Sequence, residues 1–355
     1  MRISWFIRNR DLGGGILDCC VVFGGSGFIG LFFSKFILEN DAISKVYVLD
    51  NERPDQKFSA YRRNLFEKES RIEYVYADVR KNIQWRPDER VVLIANFAAI
   101  HREPGHQDYE YFQTNLLGAE NICEFAEQVE CNNLIFSSSI SPYGPGEEEK
   151  TEQSLPVPVT HYGASKLVAE KIHLIWQAKA DLDRKLVIVR PGVVFGPGEG
   201  GNVSRLIKAV LGRYFFYMAN QNTRKAGTYV KELCSAIIWV LDNQDKHGER
   251  VSTFNMSMNP GPSIKEYVDT ICAVAGVERW VPAVPYKPLL FFSYLIEFLA
   301  KPFRINHPFS PVRIRKLIRS NNVAPRYLVD KGYPYNYTLR TAFEDWKKEC
   351  SEEWD

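Results

Sequence analysis

The sequence predicts an α/β protein, a doubly wound parallel sheet followed by a smaller C-terminal lobe. Three observations lead there. An apolar stretch at 18–23 runs straight into Gly24-Gly-Ser-Gly27-Phe-Ile-Gly30 and then into a helical pattern through Leu38. Strand-like and helical stretches then alternate six times before about residue 195, the order that builds a parallel sheet with helices on both faces. Residues able to hold a ligand also fall at the carboxyl ends of those strands, where open α/β sheets bind their ligands. This is a Rossmann-type pattern.

Composition narrows the class. The 355 residues suffice for one large unit or two modest domains, and 45% apolar with 25% charged residues is ordinary for a globular chain. A net charge of +2 carries no nucleic-acid footprint. The seven cysteines are scattered and lack C-x-x-C spacing, so they read as reduced thiols with no zinc or other metal site. Residues 1–17 read as a loose N-terminal arm without a signal-type apolar core. No stretch reaches the roughly 18 apolar residues of a spanning helix.

Taken in order, the first strand (18–23) delivers the chain to the glycine turn. Glycines there permit a tight turn and close approach of backbone to a pyrophosphate, with the N–H groups of the next helix facing it. Gly24 and Gly27 are the candidate contacts. The second strand, 45–50, ends in Asp50, 20 residues after Gly30. A carboxylate there accepts from ribose hydroxyls and repels a 2′-phosphate, so NAD is expected rather than NADP. A third strand, 72–77, leads to Asp78-Val79 near the adenine. The fourth, 90–99, ends in the small pair Ala98-Ala99, and His101 follows within reach of a diphosphate or sugar. A helix over 107–129 carries Asn115. The fifth strand, 133–138, runs into Ser137-Ser-Ser139. Pro142-Tyr-Gly-Pro-Gly and Glu147-Glu-Glu149 read as a loop. A sixth strand, 185–190, leads into Pro191-Gly-Val193. Beyond about 200, helical stretches (203–212, 231–243, 263–276) alternate with short extended pieces. The expected organisation is therefore an arm (1–17), a dinucleotide-binding domain (18–195) and a substrate-binding lobe (196–355) interleaved with the last strands.

The chemistry centres on Tyr162-Gly-Ala-Ser-Lys166. Four residues apart, the two side chains share one helix face. An ammonium beside a phenol lowers the phenol's pKa, giving a general base suited to a sugar or alcohol hydroxyl. Alone, such a pair is as well read as a solvated face. Its weight comes from falling with Ser139, Asp50 and the glycine turn at one edge of the sheet.

These residues resemble the extended short-chain dehydrogenase/reductase family, in particular its NAD-dependent sugar epimerase/dehydratase group. The matching segments are Gly24 to Gly30, Asp50, Asp78-Val79, Asn96-Phe-Ala-Ala99, Asn115, Ser137-Ser-Ser-Ile-Ser-Pro-Tyr-Gly144, Tyr162 to Lys166, and Arg190-Pro-Gly-Val-Val-Phe-Gly196. The resemblance implies catalytic roles for Ser139, Tyr162 and Lys166. It implies an NAD site of Gly24, Gly27, Phe28, Ile29, Asp50, Asn51, Asp78, Val79, Phe97, Ala98, Ala99, His101, Asn115, Tyr162, Lys166, Pro191 and Val193. It implies substrate contacts at His101, Ser139, Tyr162, Asn202 and Lys225, and a homodimer through helices at 107–129 and 162–180.

Departures from the pattern restrict the reaction. The dehydratases carry an Asp-Glu pair where this chain has Ile140 and Ser141, so dehydration is not expected. The cysteine of the 3,5-epimerase/reductases is absent. What remains is a 4-epimerase of a diphosphate-linked sugar acting through a 4-keto intermediate, or a net reductase of a keto sugar or a related alcohol dehydrogenase. A member holding NAD only as a structural ligand is disfavoured by the intact Ser139, Tyr162 and Lys166. Lys225 stands where the group usually has arginine, and a lysine lacks the bidentate fork. The segment 287–304 is apolar nearly all round with basic flanks. It reads as a helix buried in the lobe or at a subunit contact, or as one resting at a membrane interface. With His101-Arg102 and Lys225, it resembles a bacterial subgroup acting on N-acetylglucosamine carried by undecaprenyl diphosphate. The resemblance thus implies surface-polysaccharide synthesis in the cytoplasm, at the inner face of the cell membrane if 287–304 rests there.

Overall fold

In the computed structural model, seven strands among the described residues form one parallel sheet. The described residues are 18–39, 43–54, 59–102, 105–218, 220–300 and 320–355, so the arm expected at 1–17 lies outside them. The strands are β1 (Asp18–Phe23), β2 (Lys45–Asp50), β3 (Ile72–Tyr76), β4 (Arg90–Asn96), β5 (Asn133–Ser137), β7 (Lys185–Pro191) and β11 (Val251–Met256). Their order is β11-β7-β5-β4-β1-β2-β3. The chain winds outward in both directions from β1 and β4, so the topological switch lies between those two strands.

The strand ends are level. Phe23 pairs with Asn96, Asn96 with Phe136, and Ser137 with Val189. That common edge brings residues distant in sequence to one crevice.

Both faces of the sheet are covered, which is why β1 buries nearly its whole length. Cys20 and Val22 pack with Leu31, Phe33 and Ile37 of helix α1 (Phe28–Leu38) and with Leu233 and Ile237 of α6 (Val230–His247). Cys19, Val21 and Phe23 face the opposite layer, Ile122 and Phe125 of α3 (Asp108–Gln128) and Trp176 of α4 (His161–Ala178). Each large side chain so buried contributes about 1.5–3 kcal/mol. All seven cysteines are free thiols.

Some elements differ from expectation. β4 stops at Asn96 rather than continuing to Ala99, because the Asn96 side-chain oxygen accepts from Ala98 N–H (3.1 Å) and turns the chain out of the ladder. The strand β11 and the helices α2 (Ala60–Lys68) and α10 (Leu339–Glu349) were not foreseen. The acidic run expected as a loop is a strand, β6 (Gly146–Lys150), paired with β13 (Asn321–Val323), and Glu147 accepts from Ser320 N–H at 3.0 Å. Its partner lies far along the chain, where no local pattern announces it.

The C-terminal lobe is tied down by an aromatic hub. Phe195, at the end of β8 (Val193–Phe195), lies 5.5–6.2 Å from the rings of Tyr229, Tyr267, Phe343 and Trp346. Tyr229 ends β10 (Gly227–Tyr229), Tyr267 belongs to α7 (Ile264–Ala275), and the last two to α10. Between α7 and β13 stands α8 (Tyr286–Ala300). It is not a core helix: Phe291 is 66% and Phe292 57% exposed. Residues 301–304 of the segment lie outside the described residues.

Candidate active site

The glycine turn closes tightly on β4. Gly24 has φ +69°, and a side chain there would meet Ala98 N at 2.5 Å. A Cβ at Gly30 would strike Gly24 O at 2.4 Å. Gly27 caps α1 with no side-chain bond, leaving the first-turn N–H groups and the positive end of the helix dipole facing the crevice. One strand over, Asp50 accepts from Ser26 N–H and Glu52 N–H, each at 3.2 Å. Burial raises its pKa to about 6 despite those bonds. A glycine cradle, an uncapped helix N-terminus and a partly desolvated carboxylate at the next strand end fit a dinucleotide such as NAD.

Beside the cradle, α4 presents Tyr162 and Lys166. Thr160 caps the helix by accepting from Gly163 N–H at 3.1 Å. A Cβ at Gly163 would meet Ser141 O at 2.7 Å, so glycine lets the helix start press against the serine loop. Tyr162 is half-buried, its ring 6.4 Å from that of Tyr111. Lys166 is 2% exposed; it donates to Ser137 O at 2.6 Å and lies 4.6 Å from the Phe136 ring centre. Burial drives its pKa down to about 7, against the opposing pull of the Glu170 carboxylate. Ser139 Oγ accepts from Ser141 N–H and donates to Ser141 Oγ, both at 3.1 Å. Ile140 is buried in a small cluster with Tyr143, Ala226 and Val323.

The remaining expected residues divide between open and engaged. His101 stands exposed past β4; what desolvation it suffers, with the charges of Arg102 and Lys166, holds its imidazole below the usual pKa. The Asn115 side chain is engaged within the protein, accepting from Ile100 N–H (3.0 Å) and donating to Ser165 Oγ (2.9 Å), and so ties the His101 loop to α4. Asp78 is held by Arg80 at 2.7 Å, a contact that lowers its pKa, and Val79 packs beneath Gly118. Phe97 donates its N–H to Phe23 O, closing the β1–β4 gap beside Ala98 and Ala99. Phe28 and Ile29 pack on the core beneath the turn, and Asn51 is exposed just past Asp50. Pro191 ends β7, and Val193 N–H donates to Ala226 O at 2.7 Å. On the lobe side, Lys225 is half-buried, its pKa lowered to about 8 by burial against the attraction of Glu147. Asn202 opens α5 (Asn202–Leu211), exposed, and accepts from Arg205 at 2.6 Å.

Sequence reasoning missed the layer behind these residues. His173 is fully buried and stacked on Phe136, with Nδ1 at 2.7 Å from Ala169 O. A carbonyl can only accept, so Nδ1 carries the proton and Nε2 accepts from Asn96 Nδ2 at 3.3 Å. That bond orients Asn96 to hold Ala98, linking the helix of Tyr162 to the cofactor edge. Burial keeps His173 neutral, its pKa pushed to about 4. Among the described residues no group of three or more His, Cys, Asp or Glu side chains is placed to hold a metal. An open cleft of about 500 Å³ near Tyr217, Lys265 and Trp280 shares no residue with this crevice.

The chain is similar to several known proteins. An undecaprenyl-diphosphate-linked N-acetylglucosamine 4-epimerase of Escherichia coli O157:H7 is 28% identical over 258 residues, 72% of this chain and 76% of its own. A decarboxylating sterol-4-alpha-carboxylate 3-dehydrogenase of Candida albicans is 24% identical over 93% of this chain and 99% of its own. A UDP-glucuronic acid 4-epimerase of Bacillus cereus, solved with NAD, superposes with TM-score 0.71 at 17% identity, covering 95% of this chain and 100% of that one. Such a likeness speaks to the fold. The family model for NAD-dependent epimerases and dehydratases matches residues 20–256, well over half of the chain. The chain belongs to the NAD-dependent epimerase/dehydratase family.

Proposed function

We propose that this protein is an NAD-dependent 4-epimerase of a diphosphate-linked sugar acting through a transient 4-keto sugar in surface-polysaccharide synthesis. The sugar is a nucleotide sugar such as UDP-GlcNAc or GlcNAc on undecaprenyl diphosphate. The carrying observation is the state of the serine loop. Where a dehydratase needs an acid and a base, Ile140 is buried in an apolar cluster and Ser141 is bonded to Ser139. That leaves Tyr162 to move one proton, the task of oxidising and re-reducing a single hydroxyl.

In this reading Tyr162 takes the proton from the sugar hydroxyl and later returns it. Ser139 holds the reacting oxygen, and Lys166 supplies the positive charge that favours the phenolate. NAD, held by the glycine turn and Asp50, supplies a reversible hydride acceptor. His101, Asn202 and Lys225 face the diphosphate, Lys225 as a point charge rather than a fork. Residues 18–195 serve the cofactor and 196–355 the substrate. Leu117 and Val168 (each 42% exposed) and Ile175 (62%) stand on α3 and α4 as an apolar face for a homodimer. Among the described residues no helix is long and apolar enough to cross a membrane. The exposed aromatic face of α8, with Lys287 in the helix's first turn and Lys301 and Arg304 after the helix in sequence, suits peripheral contact with the inner face of the cell membrane.

A second reading, a net dehydrogenase or reductase of a keto sugar or sterol-type alcohol, is favoured by the near full-length match to the sterol dehydrogenase. One assay separates the two. Purified protein is incubated with UDP-GlcNAc and with GlcNAc-diphosphoundecaprenol. Product at C4 without net NADH turnover is the expected result; stoichiometric NADH formation from these alcohols, or stoichiometric NADH consumption with a keto sugar, overturns it. Tyr162→Phe should lower turnover by about 10²–10⁴-fold while NAD still binds.

A further inference from the structure

Beneath the serine loop lies a buried ion pair that the proposed reaction leaves unused. Glu170 and Arg190 are 2% and 7% exposed, joined by two hydrogen bonds of 2.8 and 2.6 Å. Arg190 also donates to Tyr143 Oη at 2.7 Å, and Tyr143 donates to Asn255 Oδ1 at 2.8 Å. Glu170 accepts from Ser138 Oγ. The helix α4 therefore grips consecutive residues of the serine run with side chains one turn apart, Lys166 on Ser137 O and Glu170 on Ser138 Oγ.

We infer that the Glu170–Arg190 pair is a positioning device that holds the serine run against α4 and sets how firmly Lys166 keeps its proton. The role of that proton in turnover rests on the catalytic reading above; the effect on Lys166 does not.

The charges around Lys166 support the assignment. On α4 itself stand Tyr162, Glu170 and the neutral His173. From the loop after β4 come His101 and Arg102, and His101 senses the lysine's charge. From β7 comes Arg190, and behind it Tyr143 and, through Asn255 N–H, the carboxylate of Glu152 at 2.9 Å. Burial disfavours the ammonium, and Glu170 is the carboxylate that works against that penalty. Arg190 tempers Glu170 by neutralising it, and its guanidinium stays charged at any working pH. The balance of the pair thus decides the charge that Lys166 feels.

The test exploits opposite signs. The full-length protein is labelled with ¹³Cε-lysine, the Lys166 resonance is assigned by its loss in Lys166→Met, and the resonance is titrated by NMR. Glu170→Gln leaves a positive charge beneath the lysine, so its titration should move down by about one unit or more. Arg190→Gln leaves a carboxylate and should move it up. Shifts of the same sign, or none, overturn the inference, because packing damage alone has no reason to reverse with charge. Should either single variant fail to fold, Glu170→Leu with Arg190→Met removes both charges, a replacement buried pairs often tolerate. The titration should then fall, Glu170 being the partner one turn away, and an unmoved resonance overturns the inference. The pH–rate profile of the UDP-GlcNAc assay should follow the NMR shifts. A moved titration with an unmoved profile counts against the catalytic role of Lys166, not against the pair.

Discussion

The sheet half and the C-terminal lobe solve different problems with different materials. Around β1 the strands are short apolar runs buried on both faces, and their level ends place Gly24, Asp50, Ala98 and Ser137 along one edge. The lobe is made of two-stranded pieces and helices that reach back over long stretches of chain. Val323 packs on Ile140, Ser320 bonds Glu147, and Ala324 O accepts from Asn255. Cofactor chemistry needs atoms fixed to fractions of an ångström, and a rigid sheet edge gives that. On the proposed reading, in which the lobe binds the substrate, choice of substrate needs a wall that can vary, and loops brought from afar give that.

The largest effect should come from cutting the two regions apart. Phe195→Ala removes the ring on which Tyr229, Tyr267, Phe343 and Trp346 converge. A fully buried phenylalanine so replaced costs about 3–5 kcal/mol, read from the urea midpoint. Substrate KM should rise well beyond any change in NAD affinity, since the hub anchors the lobe and not the glycine cradle. Equal losses in both would mean that the two regions act as one.

Asp50→Asn probes the sheet edge with the opposite sign. Burial raises this carboxyl to about 6 from its ordinary value of 3.8. The folded apoprotein therefore binds its proton more tightly than the unfolded chain. Stability is lost as pH rises from about 4 to 6, and the full cost, about 3 kcal/mol at most, stands above pH 6. Asparagine keeps an acceptor for Ser26 N–H without the charge. The variant should melt higher than the parent at pH 7–8, with the gain fading below pH 6, while the melting shift produced by NAD shrinks. A variant that melts lower at pH 8 would show that the carboxylate is well satisfied without the ribose.

What was legible in the sequence follows the same division. Strand–glycine–helix, the strand-end Asp50 and the Tyr162–Lys166 pair are local patterns, and each lies where its pattern places it. Apart from the helices α2 and α10, the misses are long-range. Strand β11 alternates Val251, Thr253 and Asn255 with Ser252, Phe254 and Met256, weak evidence until β7 is beside it. Glu147 to Glu149 looks like loop because its partner is Asn321 to Val323. Glu170 sits four residues past Lys166 in plain view, but its value depends on Arg190, 20 residues further on. The His173–Asn96 link likewise joins residues 77 apart.

The smallest effect on stability, and the sharpest on location, is expected at α8. Phe291 and Phe292 are largely exposed and touch each other edge-on at 5.7 Å between ring centres. Replacing both by serine removes little packing, so stability should stay within about 0.5 kcal/mol of the parent. If the rings enter a lipid interface, each contributes about 1.5–3 kcal/mol there. The double variant should then lose at least about tenfold in sedimentation with phosphatidylglycerol-containing vesicles. Binding by the parent should weaken in high salt and on neutral vesicles, because Lys287 and the basic residues after α8 add attraction to anionic headgroups. Unchanged vesicle binding with a shift in oligomeric state would identify α8 as a subunit contact. A loss of several kcal/mol would return it to the core, and with it the contrast between a buried sheet and an open lobe would fail at its most exposed point.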